Sequence, residues 1–70
     1  MKQICVIGLG YIGLPTSSIL AAKGYQVLGV DVSRKVVDTI NSGKIHITEP
    51  DLDLFVRAAV QSGKLRASLA

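Results

Sequence analysis

The first half of the chain alternates between short apolar runs and a segment of helical character. The run QICVIG is rich in β-branched residues and ends at a glycine, which predicts a buried strand. The segment LPTSSILAAKG predicts a helix, because Pro15 is tolerated in a first turn and Gly24 stands where a helix would end. The run YQVLGVD, with apolar residues at Val27, Leu28 and Val30, predicts a second strand.

A second helix is expected directly after that strand. Ser33 is its predicted N-cap, and Val36, Val37 and Ile40 fall on one face of it. Residues 41–43 close this helix, and the segment KIHITE after them is expected to be an extended connection.

The last third of the chain carries the clearest helical pattern. Pro50 is expected to open a third helix and Gly63 to end it. Its apolar residues follow the i, i+3, i+4, i+7, i+8 spacing: Leu52, Phe55, Val56, Ala59 and Val60. The final KLRASLA resembles the start of a third strand that the chain does not complete.

The order strand, helix, strand, helix, helix, strand start predicts an α/β fold with parallel strands joined by right-handed crossovers. A parallel sheet needs helices on both faces, which two or three strands cannot provide. We therefore expect residues 1–70 to be the N-terminal part of a Rossmann-type domain, with the remainder of that domain and any catalytic domain outside this chain.

Three glycines link the first strand to the first helix in the pattern Gly8-x-Gly10-x-x-Gly13. This context, strand before and helix after, is typical of a dinucleotide-binding loop. Gly8 would permit a tight turn, Gly10 would let a pyrophosphate approach the backbone, and Gly13 would let the helix pack closely on the strand. The phosphates would then bind at the helix N-terminus, where free N–H groups and the dipole favour negative charge.

A second signal agrees with the glycines. Asp31 ends the second strand 18 residues after Gly13, close to the spacing of about 20 in such motifs. Its carboxylate would accept hydrogen bonds from the adenosine ribose and repel a 2′-phosphate, which favours NAD over NADP. The alternative is that Asp31 only caps the following turn and that the glycines serve packing alone.

Composition and charge exclude several classes of protein. The chain has 70 residues, of which 49% are apolar, and this argues against disorder. The net charge of +3 is spread along the chain and forms no cluster, which argues against a nucleic-acid partner. A single cysteine excludes an intrachain disulfide and fits a reducing compartment.

A membrane segment or signal peptide is the alternative raised by the uncharged stretch from Gln3 to Ala22. Its three glycines and Pro15 count against both, because a signal h-region is usually a denser block of Leu, Ala and Val. We expect no membrane anchor and a cytoplasmic protein.

The stretch VIGLGYIGLPTSSILAAKGYQVLGVDVSRKVVDTINSG resembles the N-terminus of the UDP-glucose/GDP-mannose dehydrogenase family, and the resemblance runs over essentially all 70 residues. The segment KIHITEPDL is most similar to the branch that oxidises UDP-N-acetyl-D-mannosamine. The UDP-glucose branch usually has a Tyr or similar residue where this chain has Thr48.

The resemblance implies a two-step, four-electron oxidation of the C6 alcohol of a UDP-sugar to a carboxylate, with NAD as cofactor, by a homo-oligomer of a much longer chain. It implies that Tyr11 and Ile12 offer backbone N–H groups to the pyrophosphate and that Asp31 holds the ribose. Many members of the family have a Lys five positions after that Asp, where this chain has Val36. Arg34 or Lys35 would then take the place of the family's Lys.

We expect no catalytic residue and no metal ligand in this chain. The resemblance implies an oxidation through a cysteine thioester, on a cysteine that lies far downstream of this segment. Cys5 is expected to be a buried, inert thiol in the first strand. His46 has no partner at metal-ligand spacing and is expected to face solvent in a loop. Glu49 and Pro50 match a family pattern, and helix initiation explains them better than a substrate contact does.

Two alternatives to a segment of an enzyme stay open at this point. A nucleotide-sensing module of the kind that gates ion transporters would use the same glycines and ribose acid without chemistry. The segment could also be a fragment with no function in isolation. The EPDL segment and the GLGYIGLP match favour the enzyme.

Overall fold

The computed structural model describes residues 2–70 and contains three strands and three helices. The predicted order of elements is confirmed. In chain order they are β1 (Gln3–Ile7), α1 (Gly13–Ala22), β2 (Gln26–Asp31), α2 (Arg34–Asn41), α3 (Leu52–Gln61) and β3 (Leu65–Leu69). Within the described part of the chain, no helix has the length and apolar content needed to cross a membrane.

The strands form one parallel sheet with β2 in the centre, in the order β1-β2-β3. Cys5 of β1 lies opposite Leu28 of β2, and Leu28 lies opposite Arg66 of β3. The third strand is more complete than the sequence predicted, since it pairs with β2 over Leu65–Leu69. All carboxyl ends of the strands therefore meet at one edge of the sheet, which is where ligands bind in open α/β folds.

Within residues 2–70, helices cover one face of this sheet. The buried strand residues Val27, Gly29, Leu65 and Ala67 all point to the same face, and the helices therefore pack there. The opposite face carries Gln3, Cys5 and Ile7 of β1, which are exposed, together with the half-buried Gln26, Leu28 and Val30 of β2. The prediction that Cys5 is buried was wrong, because it assumed a sheet covered on both faces and residues 2–70 supply helices to one face only.

The core lies between the covered face and the helices. Its fully buried large side chains come from the glycine loop and from all three helices: Leu9, Leu14, Ile40 and Val56. The predicted face of α2 is confirmed, with Val37 buried and Val36 half-buried beside it.

The stripe on α3 is confirmed except at one residue. Leu52, Val56 and Ala59 are buried, whereas Phe55 is 54% exposed. Phe55 borders a shallow groove of about 350 Å³ between α1 and α3, lined largely by small residues.

The starts of α2 and α3 differ in how well the sequence predicted them. The Ser33 hydroxyl accepts a hydrogen bond from the Val36 N–H at 3.3 Å, so the predicted N-cap is confirmed. Helix α3 begins at Leu52, two residues later than predicted, because Asp51 adopts a left-handed conformation with φ of 65°. Pro50 therefore lies in the turn that precedes the helix.

The outer edge of β3 is closed by a side chain of α2. Asn41 donates from its amide nitrogen to the Ala67 carbonyl at 2.9 Å and accepts from the Ala67 N–H at 2.8 Å. The amide thus imitates the pairing of a neighbouring strand and satisfies two backbone groups that a free edge would leave open.

Candidate dinucleotide-binding site

The loop between β1 and α1 begins with a turn that only glycine adopts readily. Gly8 has φ of 89°, and its N–H donates to the Val30 carbonyl of β2 at 2.7 Å. The chain therefore leaves β1 while still attached to the neighbouring strand. This attachment brings the loop over the carboxyl end of β2.

Gly13 is required by the close approach of α1 to this turn. A Cβ atom on Gly13 would overlap the Gly8 carbonyl oxygen and lie 2.8 Å from the Gly8 carbonyl carbon. Both atoms belong to the backbone, so neither can move aside as a flexible side chain would. The N-terminus of α1 is thereby held against the glycine turn.

Close packing does not explain the glycine at position 10 as it does at position 13. A Cβ atom placed on Gly10 would meet no atom of residues 2–70 within 4 Å, so it would point into open space in front of the loop. This is the arrangement expected where a ligand, and not the protein, approaches the backbone.

The same open side of the loop presents unpaired donors. Within residues 2–70, the N–H groups of Tyr11, Ile12 and Gly13 have no protein acceptor, while the Leu14 N–H already bonds the Gly10 carbonyl at 3.0 Å. The side chains of Tyr11 and Ile12 are exposed, and the first turn of α1 carries no acidic residue. Free N–H groups at a helix N-terminus favour a bound anion such as a pyrophosphate.

Asp31 lies beside this loop at the end of β2 and connects it to the start of α2. One carboxylate oxygen accepts from the Leu9 N–H at 3.0 Å, and the other accepts from the Ser33 N–H at 2.9 Å. The turn-capping role considered as an alternative is therefore present. It leaves each oxygen a further lone pair, so a ribose diol can still be bound.

These contacts also fix the charge of the site. The hydrogen bonds from Leu9 and Ser33 hold the pKa of Asp31 below its ordinary value of 3.8, and the nearby His46 contributes to the same direction. Asp31 is consequently an anion throughout the neutral range. His46 is exposed, as predicted from the sequence.

Arg34 is the first residue of α2 and is exposed near the Asp31 turn. Val36, where many family members have a Lys, uses its N–H to cap the helix and packs its side chain partly against the core. Val36 therefore cannot replace a charged ribose contact, and a role for Arg34 stays a prediction.

Two residues that the sequence analysis did not single out, Leu9 and Gly29, complete the site. Leu9 is fully buried in the middle of the glycine loop. A Cβ atom on Gly29 would lie 2.6 Å from a methyl carbon of Leu9, so the two residues fit together. A glycine inside a predicted strand is a signal of close approach and could have revealed this contact.

The surroundings of Cys5 differ from those of a catalytic thiol. It is exposed on the uncovered face of the sheet and lies opposite the apolar Leu28. The resemblance implies NADH formation by the whole protein that carries this segment, and we expect Cys5→Ala to keep the rate of that reaction within a few-fold. Loss of a covalent nucleophile would cost several orders of magnitude. Steady-state NADH production checks this, and a collapse with folding and NAD binding preserved would identify Cys5 as the nucleophile.

Residues 2–70 match the family model described as the UDP-glucose/GDP-mannose dehydrogenase family, NAD binding domain. The chain is 60% identical over 67 residues to the NDP-N-acetyl-D-galactosaminuronic acid dehydrogenase of Ralstonia nicotianae, covering 96% of this chain and 16% of that protein. It is 60% identical over 65 residues to the UDP-N-acetyl-D-mannosamine dehydrogenase of Escherichia coli, covering 93% and 16%.

Among solved structures, the UDP-D-ManNAc dehydrogenase from Pyrococcus horikoshii superimposes with a TM-score of 0.94 at 43% identity. The match covers 99% of this chain and 16% of that one. The chain therefore spans a small fraction of the length of the proteins it resembles.

Proposed function

Because the chain belongs to the UDP-glucose/GDP-mannose dehydrogenase family, we propose that it supplies the first part of the NAD site of an enzyme that oxidises the C6 alcohol of a UDP-sugar to a carboxylate. The proposal places the pyrophosphate at the N–H groups of Tyr11, Ile12 and Gly13. It places the adenosine ribose at Asp31, with Arg34 beside it.

The observation that carries this proposal is that free backbone N–H groups of the loop and the ionised carboxylate of Asp31 lie side by side. Three N–H groups that find no acceptor within residues 2–70, together with the open approach over Gly10, suit the two negative charges of a pyrophosphate. Asp31 stands at the next strand end, attached to the same loop through the Leu9 N–H. A dinucleotide needs both groups at once, whereas a simple phosphate needs only the first.

NAD supplies the hydride acceptor of the oxidation. The residues of this chain bind and orient it: the loop and helix α1 hold its phosphates, and Asp31 holds a ribose and excludes a 2′-phosphate. Nothing in this arrangement transfers a proton or attacks a sugar. We accordingly propose that the catalytic and sugar-binding groups belong to a longer homo-oligomeric protein, and that residues 1–70 alone oxidise nothing.

The proposed substrate class is a nucleoside diphosphate N-acetylhexosamine, with UDP-N-acetyl-D-mannosamine as the first candidate. Its support is the KIHITEPDL segment and the two relatives at 60% identity, whose names both refer to an N-acetylated sugar. Membership of a dehydrogenase family also favours an enzyme over a nucleotide-sensing module of an ion transporter.

We expect the whole protein to reduce two NAD molecules for each UDP-N-acetyl-D-mannosamine consumed, since alcohol to carboxylate is a four-electron oxidation. The measurement is NADH absorbance against the amount of uronic acid formed. UDP-N-acetyl-D-galactosamine, UDP-glucose and GDP-mannose serve as comparison substrates, and the 70-residue segment alone as a blank. One NADH per sugar, or no oxidation of any of the four, would contradict the proposal.

A further inference from the structure

We infer that the contact between Leu9 and Gly29 sets the position of the phosphate-binding N–H groups relative to Asp31. Leu9 and Gly29 are in this view positioning residues of the cofactor site, outside the three-glycine motif. The inference rests on the NAD site proposed above and extends it to two residues that touch no cofactor.

The first observation is the inward direction of Leu9. Of the loop residues 8–12, only Leu9 has a buried side chain, and it is fully buried. Its neighbours Gly10, Tyr11 and Ile12 are exposed on the side proposed for the ligand. Leu9 is therefore the loop's attachment to the core.

The second observation is the space that receives this side chain. A Cβ atom on Gly29 would lie 2.6 Å and 2.9 Å from the two methyl carbons of Leu9. Glycine weakens a strand, because it loses more backbone entropy on folding than other residues and has no side chain to pack. Gly29 is central in the sheet, paired with both Val6 and Ala67, and the room it leaves for Leu9 explains its presence.

The third observation is that adjacent groups of β2 hold the loop at further points. The Val30 carbonyl accepts from the Gly8 N–H at 2.7 Å, and the Asp31 carboxylate accepts from the Leu9 N–H at 3.0 Å. Three consecutive residues of β2 thus hold two consecutive residues of the loop. The pyrophosphate and ribose subsites are consequently parts of one rigid unit.

A methyl group on Gly29 would overlap the methyl carbons of Leu9. Because the Leu9 side chain is fully buried in the core, we expect the loop and its N–H groups to shift with it, while Asp31 stays on β2. A dinucleotide bridges both subsites and would then fit one of them poorly. Adenosine uses the ribose subsite alone and would be much less affected. This difference between two ligands is what separates a positioning role from a general loss of structure.

The test is the binding of NAD and of adenosine to Gly29→Ala in the whole protein, by titration calorimetry and ligand-observed NMR. We expect NAD to bind at least about tenfold more weakly, a loss of 1.4 kcal/mol, because the dinucleotide has to contact both subsites at once. Adenosine binding should change by less than about threefold, which is under 0.7 kcal/mol.

The decisive variant is a double substitution in which a smaller side chain at position 9 compensates for the added methyl group at position 29. Leu9→Val removes about the volume that Gly29→Ala adds, so the double variant should recover NAD binding to within about threefold of the wild type, as volume-conserving exchanges are the best tolerated. Gly43→Ala is the matched control. It forces alanine to φ of 81° in a turn after α2, so it should reduce stability and leave NAD affinity unchanged.

If Gly29→Ala binds NAD as the wild type does, or if the double variant does not recover, the inference is overturned while the NAD site stands. If Gly29→Ala does not fold, Leu9→Ala decides, because it removes the same contact without adding an atom. Wild-type affinity in folded Leu9→Ala overturns the inference, and a weaker NAD affinity with adenosine binding retained supports it. Failure of the wild type itself to bind NAD would remove the proposed function as well.

Discussion

Gly10→Val is expected to weaken NAD binding to the whole protein by more than about tenfold, or 1.4 kcal/mol, while the protein folds normally. The new side chain would occupy the open space in front of the loop, between the pyrophosphate and the N–H groups of Tyr11 and Ile12. Folding should tolerate it, because Gly10 is not among the residues with positive φ and a Cβ atom there meets no atom of the described residues 2–70 within 4 Å.

The matched control for this variant is Ala22→Val. Ala22 is exposed at the end of α1 opposite the loop, so the substitution also introduces an exposed valine, but far from the proposed phosphate site. Calorimetric titration with NAD and the thermal unfolding midpoint are measured for both variants. Normal NAD affinity in Gly10→Val would show that the glycine loop is not the phosphate site.

Asp31→Ala is expected to have a comparably large effect through two causes. The variant loses the hydrogen bonds proposed to the ribose, and bonds to a charged group contribute about 1.5–3 kcal/mol each at most. It also releases the Leu9 N–H and the Ser33 N–H, which the carboxylate now holds. We therefore expect a loss of NAD affinity larger than that from the ribose contacts alone, together with some loss of stability.

The two causes differ in their effect on cofactor choice. Loosening the loop weakens NAD and NADP alike, whereas removing the negative charge helps only the ligand that carries a 2′-phosphate. Asp31→Ala should therefore narrow the preference for NAD over NADP. Asp38→Ala, which removes the same charge from an exposed position of α2, should leave that preference unchanged. An unaltered preference in Asp31→Ala would place the source of cofactor choice elsewhere.

Local signals predicted most of this fold. The glycine spacing, the Ser33 cap and the apolar spacing of the helices depend on neighbours within a few positions, and the structure agrees with them except at Phe55, which is exposed. The late start of α3 escaped prediction, because Asp51 adopts the left-handed conformation. Asp tolerates that conformation better than most residues, but its presence alone does not predict it. Burial of Cys5 was misjudged for a related reason, since exposure depends on which face the helices cover.

In the candidate site, too, some features could be predicted from the sequence and others could not. The roles of the three glycines and Asp31 could be predicted from their spacing along the chain, because that spacing defines a dinucleotide-binding motif. The bond from the Leu9 N–H to Asp31 spans 22 positions, and the fit of Leu9 to Gly29 spans nearly as many. Such contacts depend on the register between strand and loop, so only the three-dimensional structure reveals them.

The most direct test of the central claim, that this loop and Asp31 form an NAD site, is the titration of the wild-type whole protein with NAD and NADP under identical conditions. The ionised carboxylate beside the loop predicts that NAD binds more tightly by at least about tenfold, a difference of 1.4 kcal/mol. Equal affinity, or tighter binding of NADP, would contradict the role assigned to Asp31 and with it the proposed site.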